Sequence, residues 1–314
     1  MLHVAVAASG GRDSTALLHC TAHAALALGL QVHALHVHHG LHADANVWAQ
    51  HVEKQVQRWA KGGLPVHFHL HRLNDSPRPG DSVEAWARQR RYAALASMAQ
   101  EAGCALVLLA HHRRDQAETV LLQALRGAGP AGLSAMPRMS EREGLIWARP
   151  WLGQPRKTIE AYGRQHRLAY VDDGSNQDLR FARNRLRQIV WPAFEAAFPD
   201  AETSLVAVAQ QAQVARACLE EIAGLDLAVV ADESGFKLEP WLILSEPRRI
   251  NVLRAWLAQI LPVGVPRALL HRLMLELPPG RGAVWQVGTV GQGVLRLQRR
   301  VLRFSSDKGQ RGPG

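Results

Sequence analysis

Six residues, Ser9-Gly10-Gly11-Arg12-Asp13-Ser14, stand between an apolar run, Leu2 to Ala8, and a helical stretch, Thr15 to Leu28. A strand, a glycine turn and a helix follow from that order. Adjacent glycines allow positive φ and let backbone amides come close to an anion, and the unpaired N–H groups at the next helix start point to the same place. Ser9 and Ser14 add hydroxyl groups. A carboxylate beside phosphate repels it unless a divalent cation lies between them, so Asp13 implies Mg²⁺. The structural alternative, Ser14 as an ordinary helix cap, explains one serine and leaves the rest unexplained. The loop itself is neither G-x-x-x-x-G-K-[ST] nor G-x-G-x-x-G, and no lysine precedes Lys54.

Aliphatic runs at Leu2 to Ala8, Gln31 to Val37, Leu64 to Leu70 and Ala105 to Ala110 alternate with helical patterns over 14–28, 46–61, 82–102 and 115–126. This alternation predicts an α/β fold, a doubly wound and mostly parallel sheet with a Rossmann-like adenine-nucleotide layout. Ligands in such sheets bind at the carboxyl ends of strands. The richest motifs follow Ala8, Val37 and Ala110, all strand ends. A catalytic domain over 1–199, a connecting helix over 200–225, a smaller mixed domain over 226–304 and a disordered polar tail over 305–314 complete the expected organisation. In the smaller domain Glu246 to Leu261 reads as a helix, and Ala283 to Thr289 and Gly293 to Phe304 read as strand-like runs.

Lysine and arginine number 37 against 27 acids, a net charge of +10. That excess favours a polyanionic partner, with nucleic acid first. Cys20, Cys104 and Cys218 form no C-x-x-C pair, which fits buried thiols in a reducing cytoplasm. The N-terminus lacks a basic segment before its short apolar run, and no apolar run reaches membrane length, so neither a cleaved signal nor a membrane partner is expected.

The stretch His36-Val37-His38-His39-Gly40-Leu41-His42 invites a zinc reading. Consecutive strand residues point to opposite faces, however, and no cysteine completes a ligand set. His36 and His39 are instead expected in a loop that turns at Gly40 and walls the nucleotide pocket. From Asp81, Glu84, Arg88 and Arg91 share a helical face, with Asp81 and Glu84 also forming a capping-box pattern. A planar guanidinium at Arg88 or Arg91 suits phosphate. At the next strand end come His111-His112-Arg113-Arg114-Asp115, with Glu118 one turn on. Asp115 and Glu118 also read as a cap and its box partner. The glycine-rich segment after Arg126-Gly127 reads as a mobile loop. Finally Asp172-Asp173-Gly174-Ser175-Asn176-x-Asp178 leads to Arg180, Arg183, Arg185 and Arg187. These arginines are expected to track a phosphate backbone while Leu186 and Ile189 hold the core.

The hexapeptide resembles the S-G-G-x-D-S loop of the ATP-pyrophosphatases, which split ATP between the α and β phosphates. Taken in order, S-G-G-R-D-S, H-V-H-H-G-L, E-x-x-A-R-x-x-R-Y, H-H-x-x-D-Q-x-E-T with R-G-A-G-x-x-G-L, R-P-W-L, and D-x-S-N-x-D with R-N-x-L-R resemble the tRNA(Ile)-lysidine synthetase family over about residues 2–195. The resemblance implies ATP-dependent adenylation of the wobble cytidine of an isoleucine tRNA with a CAU anticodon. The ε-amine of free L-lysine then displaces AMP, giving lysidine and moving codon reading from AUG to AUA. It implies that Ser9 to Ser14 hold ATP with Asp13 near Mg²⁺, that His111, Asp115 and Glu118 lie near the lysine or the activated base, and that Arg88 and Arg91 offset phosphate charge. Arg126 joins the arginines of 180–187 as a tRNA contact. The chain resembles the shorter form without a second C-terminal domain, so further contacts are expected from Arg296, Arg299, Arg300 and Arg303. Arg114 stands where the family usually has an acid, and His42 where an arginine is common. Oligomeric state is left open, a homodimer included.

Three other readings compete. A tRNA thiolation enzyme on the same fold would use paired cysteines, which are absent here. A non-catalytic RNA-binding relative is suggested by Arg114 but not by the intact Asp13, Asp115 and Glu118. A small-molecule amidating synthetase would ignore added tRNA.

Overall fold

A parallel sheet demands strands separated by helices, and the first half of the chain supplies them in strict alternation. The computed structural model describes residues 2–40, 44–76, 83–171, 178–261, 264–287 and 293–306. Two compact units emerge, Met1–Gln213 and Val214–Gly314.

In the first unit the order is β1 (His3–Ala7), α1 (Arg12–Leu28), β2 (Gln31–His38), α2 (Ala45–Lys61), β3 (Val66–Arg72), α3 (Val83–Glu101), β4 (Leu106–Leu108), α4 (Arg113–Leu125), α5 (Pro130–Leu133), β5 (Met139–Arg142), β6 (Leu145–Ala148), α6 (Arg156–Gln165), α7 (Ala182–Arg185), a π-helical turn (Leu186–Val190) and α8 (Trp191–Ala197), after which α9 (Ala201–Val230) begins. The strands lie in the order β3-β2-β1-β4-β6-β5. All neighbours pair in parallel except β5 with β6.

Alternation along β1 sorts the two faces. Val4 and Val6 pack with Leu17 and Leu18 of α1 and Val52 and Val56 of α2, whereas Ala5 packs with Leu95, Met98 and Ala99 of α3. Helices therefore cover both faces, the doubly wound arrangement. The chain leaves β1 toward β2 on one side and returns to β4 on the other, so the crevice between the carboxyl ends of β1 and β4 is the topological switch point.

Several expectations change on folding. Ile189 is 58% exposed rather than part of the core, because the π-turn carries it outward while Leu186 stays buried. The glycine-rich segment is not all loop: Pro130 opens the short helix α5, its fixed φ suited to a first turn. Of the three thiols, all expected to be buried, only Cys104 is; Cys20 is half-buried and Cys218 lies exposed on α9. β5 and β6, four residues each, form an antiparallel edge hairpin that the sequence pattern did not announce.

The second unit holds β7 (Ala231–Asp232), β8 (Gly235–Lys237), α10 (Leu238–Ile243), α11 (Glu246–Ile260), α12 (Arg267–Glu276), β9 (Ala283–Gln286), β10 (Val294–Gln298) and β11 (Val301–Ser305), with the strands in the order β7-β8-β11-β10-β9. Its core gathers Phe236, Trp241, Leu253, Leu257, Leu273, Trp285 and Leu295. The run read as one strand from Gly293 is a hairpin that turns at Arg299 and Arg300, with φ of 51° and 61°. Two left-handed residues are what a two-residue hairpin turn requires, although Asn-Gly meets that need with less strain. Thr289 and the tail from Asp307 lie outside the described residues. No described helix is long and apolar enough to cross a membrane.

Candidate active site

At the switch point lies a cleft of about 620 Å³. Its walls come from Ala8, Ser9 and Gly11 to Ser14 after β1, His39 after β2, Arg91 and Leu95 on α3, Ala110 and His111 after β4, Arg156 at the start of α6, Tyr170 and Val171, and Arg187 and Gln188 in the π-turn.

The loop after β1 is shaped by Gly10, whose φ is +88° and where an added Cβ would meet Val52 at 3.0 Å. Ser14 Oγ donates to the Gly11 carbonyl at 2.9 Å and lies 2.9 Å from Ser9 Oγ. Gly11 caps α1 without any side-chain hydrogen bond, so Ser14 is not the cap and the leading amides of α1 are left for a ligand. Three buried atoms around this loop lack hydrogen-bond partners: Arg12 Nε, Arg156 Nε and Asp13 Oδ1. Their approaches are ionic: Arg12 Nε stands 3.5 Å from Asp13 Oδ1 and Arg156 Nε 3.4 Å from Glu160 Oε1, the carboxylate that Arg12 Nη1 also meets at 2.8 Å. Two donors and one acceptor in one place fit a phosphate chain carrying a divalent cation. Burial opposes ionisation of Asp13, yet the His112 imidazole, Arg12 and Arg156 together hold its carboxyl below the usual value. Among the described residues no group of three or more His, Cys, Asp or Glu is arranged as a metal site. One carboxylate completed by phosphate oxygens and water is the usual way to hold Mg²⁺.

Beyond β4 the chain brings four charged residues together. Glu118 is fully buried; its Oε1 accepts from Arg187 Nε at 2.7 Å, and its Oε2 lies 3.2 Å from Arg183 Nε. Asp115 Oδ1 accepts from Arg187 Nη2 at 2.6 Å, and Oδ2 from the His112 backbone amide at 3.0 Å. The cap of α4 is thus His112, with Asp115 as box partner; Glu118 takes no part in it. Burial opposes the charge on Asp115, but His112, Arg187 and His111 outweigh it and keep the carboxyl ionised. Burial also keeps His111 neutral, and its Nδ1 has no hydrogen-bond partner. Arg187 and His111 line the cleft, and the two carboxylates stand behind Arg187.

The remaining expected residues separate. Arg91 faces the cleft, where burial, Arg88 and Arg183 disfavour its charge more than Tyr92 favours it. Arg88, three residues earlier, lines a different depression with Tyr92, Arg142 and Trp147. His39 is in the cleft wall. His36 lies behind it, 2.7 Å from the Ala8 carbonyl, which buttresses the start of the loop. Arg180 pairs with Asp178, Arg185 bonds the carbonyls of Leu179 and Arg180, and Arg126 caps α4 in solvent. Arg296, Arg299, Arg300 and Arg303 are exposed on the second unit. His42, Asp81, Asp172, Asp173, Gly174, Ser175 and Asn176 lie outside the described residues, as does the Glu84 side chain.

Arg156, Tyr170 and Gln188 were not anticipated. Arg156 had one signal, an arginine directly after Pro155 at a helix start; Tyr170 and Gln188 had none.

A family profile described as the PP-loop domain matches residues 2–194. The tRNA(Ile)-lysidine synthase of Ralstonia nicotianae is 48% identical over 257 residues, which make up 81% of this chain and 54% of that protein. That of Polaromonas naphthalenivorans is 41% identical over 87% of this chain and 81% of its own length. The chain therefore spans little more than half of the first relative and most of the second. Among solved structures, the U34-tRNA thiolase NcsA from Methanococcus maripaludis with its [4Fe-4S] cluster superposes with a TM-score of 0.56 over 67% of this chain and 71% of that one. At 15% identity that likeness concerns the fold alone.

Proposed function

The chain belongs to the PP-loop domain family and, within it, to the tRNA(Ile)-lysidine synthases, and from that membership we propose that it joins L-lysine to carbon 2 of the wobble cytidine in a CAU-anticodon isoleucine tRNA at the expense of ATP. In the first step the cytidine carbonyl oxygen bonds to the α-phosphorus of ATP and pyrophosphate leaves. In the second the ε-amine of lysine bonds to carbon 2, the C–O bond to AMP breaks, and the amine loses a proton. An anticodon base is single-stranded, so no duplex need be opened.

The observation that carries this reading is the Asp115, Glu118 and Arg187 network beside a cleft whose orphan atoms suit Mg-nucleotide. Bound at Asp13, Mg²⁺ would supply charge neutralisation for the phosphates. Gly11, Ser9 and Ser14 orient the phosphates, with Arg12 and Arg156 on the departing pair. Arg91 and Arg187 offset charge that develops on the α-phosphate. The carboxylates of Asp115 and Glu118 hold Arg187 in place. His111, neutral and with Nδ1 free, accepts the amine proton, and the charge of Asp115 favours the imidazolium so formed. Arg126, Arg180, Arg185 and the exposed arginines of the second unit meet tRNA phosphates.

The test is incorporation of radiolabelled lysine into an unmodified isoleucine tRNA transcript with CAU, with and without ATP, against the methionine tRNA. ATP-dependent label on the isoleucine tRNA alone is the expected result; label without ATP, or on neither tRNA, contradicts it.

A further inference from the structure

Arg113 and Arg114 are the first two residues of α4, where the helix dipole disfavours cations. Neither faces the cleft; both turn to Glu202, in the first turn of α9, where the same dipole favours an acid. Arg113 Nε donates to Glu202 Oε1 at 2.7 Å and Arg114 Nε to Oε2 at 2.8 Å, so one carboxylate answers two guanidiniums and two helix starts. Arg114 also donates from Nη2 to Glu195 at 2.7 Å, and its Cζ sits 4.3 Å above the ring of Trp191. That ring is 1% exposed, so the cation–π contact is desolvated and worth more than at a surface.

Trp191 ends a short run of backbone with an unusual course. Arg183 lies on α7 and Arg187 in the π-turn, and both reach Glu118, Arg183 at Oε2 and Arg187 at Oε1. A π-turn shifts the phase of the side chains that follow it and costs hydrogen-bond quality, so something must hold it. At one end the segment meets Asp115 and Glu118, behind the cleft wall; at the other it is pinned by Arg114. We propose that Arg114 is a positioning residue: seated on Trp191 and tied to Glu195 and Glu202, it sets the register of residues 182–191 and so delivers Arg187 to Asp115 and Glu118. The inference rests on the reading above that this network serves the aminolysis step. Lysine could carry the charge at this position but could neither stack flat nor bind two carboxylates as a fork.

Hydrogen exchange separates the two questions, because it needs no turnover. In Arg114→Ala, amides of 183–191 exchange about tenfold faster and those of 9–15 are unchanged. In the lysidine assay the same variant lowers kcat by about tenfold with KM for ATP within about twofold, Arg114→Lys resembles it, and Glu202→Gln, which keeps the shape, gives a smaller effect of the same kind. Added to an Arg187→Ala background, Arg114→Ala lowers kcat no further, since a residue that acts through Arg187 has nothing left to position. Unchanged exchange over 183–191 overturns the proposal, and so does an Arg114→Ala loss that persists in full in the Arg187→Ala background. If the unaltered protein makes no lysidine, the functional reading fails while the exchange result still decides the positioning role.

Discussion

The two ends of one sheet solve opposite problems. At the amino ends of β1, β2 and β3, four histidines meet: His33 bonds His3 at 2.9 Å and His69 at 2.8 Å, while His67, stacked on His33, bonds Gln31 at 2.8 Å. Burial and the neighbouring rings push His33 down to about 4, so the ring at the centre of this chain is neutral. At the carboxyl ends, Asp13, Asp115 and Glu118 meet Arg12, Arg183 and Arg187, and Arg12 Nε, Asp13 Oδ1 and Arg156 Nε remain without hydrogen-bond partners. One end satisfies its polar groups internally and serves stability. The other leaves donors and an acceptor without hydrogen bonds beside an open cleft, where a ligand can complete them.

Substitutions at the two ends are expected to divide between activity and stability. Asp13→Asn is expected to cut lysidine formation by about 10²–10³-fold by removing the charge that holds the cation, while the melting temperature moves by less than about 3 °C. Label incorporation and a thermal melt on one preparation check both halves. Arg156→Ala should raise KM for ATP by about tenfold with little change in kcat, the signature of lost ground-state binding; an unchanged KM would remove Arg156 from the phosphate site. At the other end, His33→Leu should cost about 1–3 kcal/mol through the orphaned His3 and His69 nitrogens and leave lysidine formation intact at temperatures below its melt.

The smallest effect sharpens the comparison through pH. The His33 value in the folded chain, about 4, lies below its unfolded value of 6.5, so the unfolded state takes up the proton first. Stability is full above pH 6.5, falls as pH drops toward about 4 and is flat in this contribution below that. Replacing His33 by Leu should flatten the slope over that window in denaturant titrations at successive pH values. A slope that survives intact would assign it to other groups, His19 first, which burial, His23 and His166 also push down to about 4.

Much of the fold was legible because its signals are local. Alternating aliphatic runs and helical patterns marked β1 to β4 and α1 to α4, and the Gly10-Gly11 pair marked the turn between β1 and α1. β5 escaped because Met139-Ser140-Glu141-Arg142 lies at the sheet edge with no buried residue, and an edge strand open to water needs no hydrophobic alternation. Arg88 and Arg91 looked equivalent on a helical wheel. A three-residue step turns the helix through most of a circle but not all of it, and the cleft receives Arg91 while Arg88 meets Tyr92 and Trp147.

The sequence by itself determined that a glycine loop open to an anion would follow the first strand, because backbone freedom, helix-start amides and a lone carboxylate are properties of adjacent residues. It also determined the sheet type, through periodicity. Only the tertiary structure decided what the basic segment does. Arg183 and Arg187 sit 65 and 69 residues beyond Glu118, and nothing local distinguishes an arginine that faces solvent from one that neutralises a buried carboxylate. That choice depends on α4 and the π-turn packing together, where the cost of leaving Glu118 buried and unpaired outweighs any preference of the arginines for water.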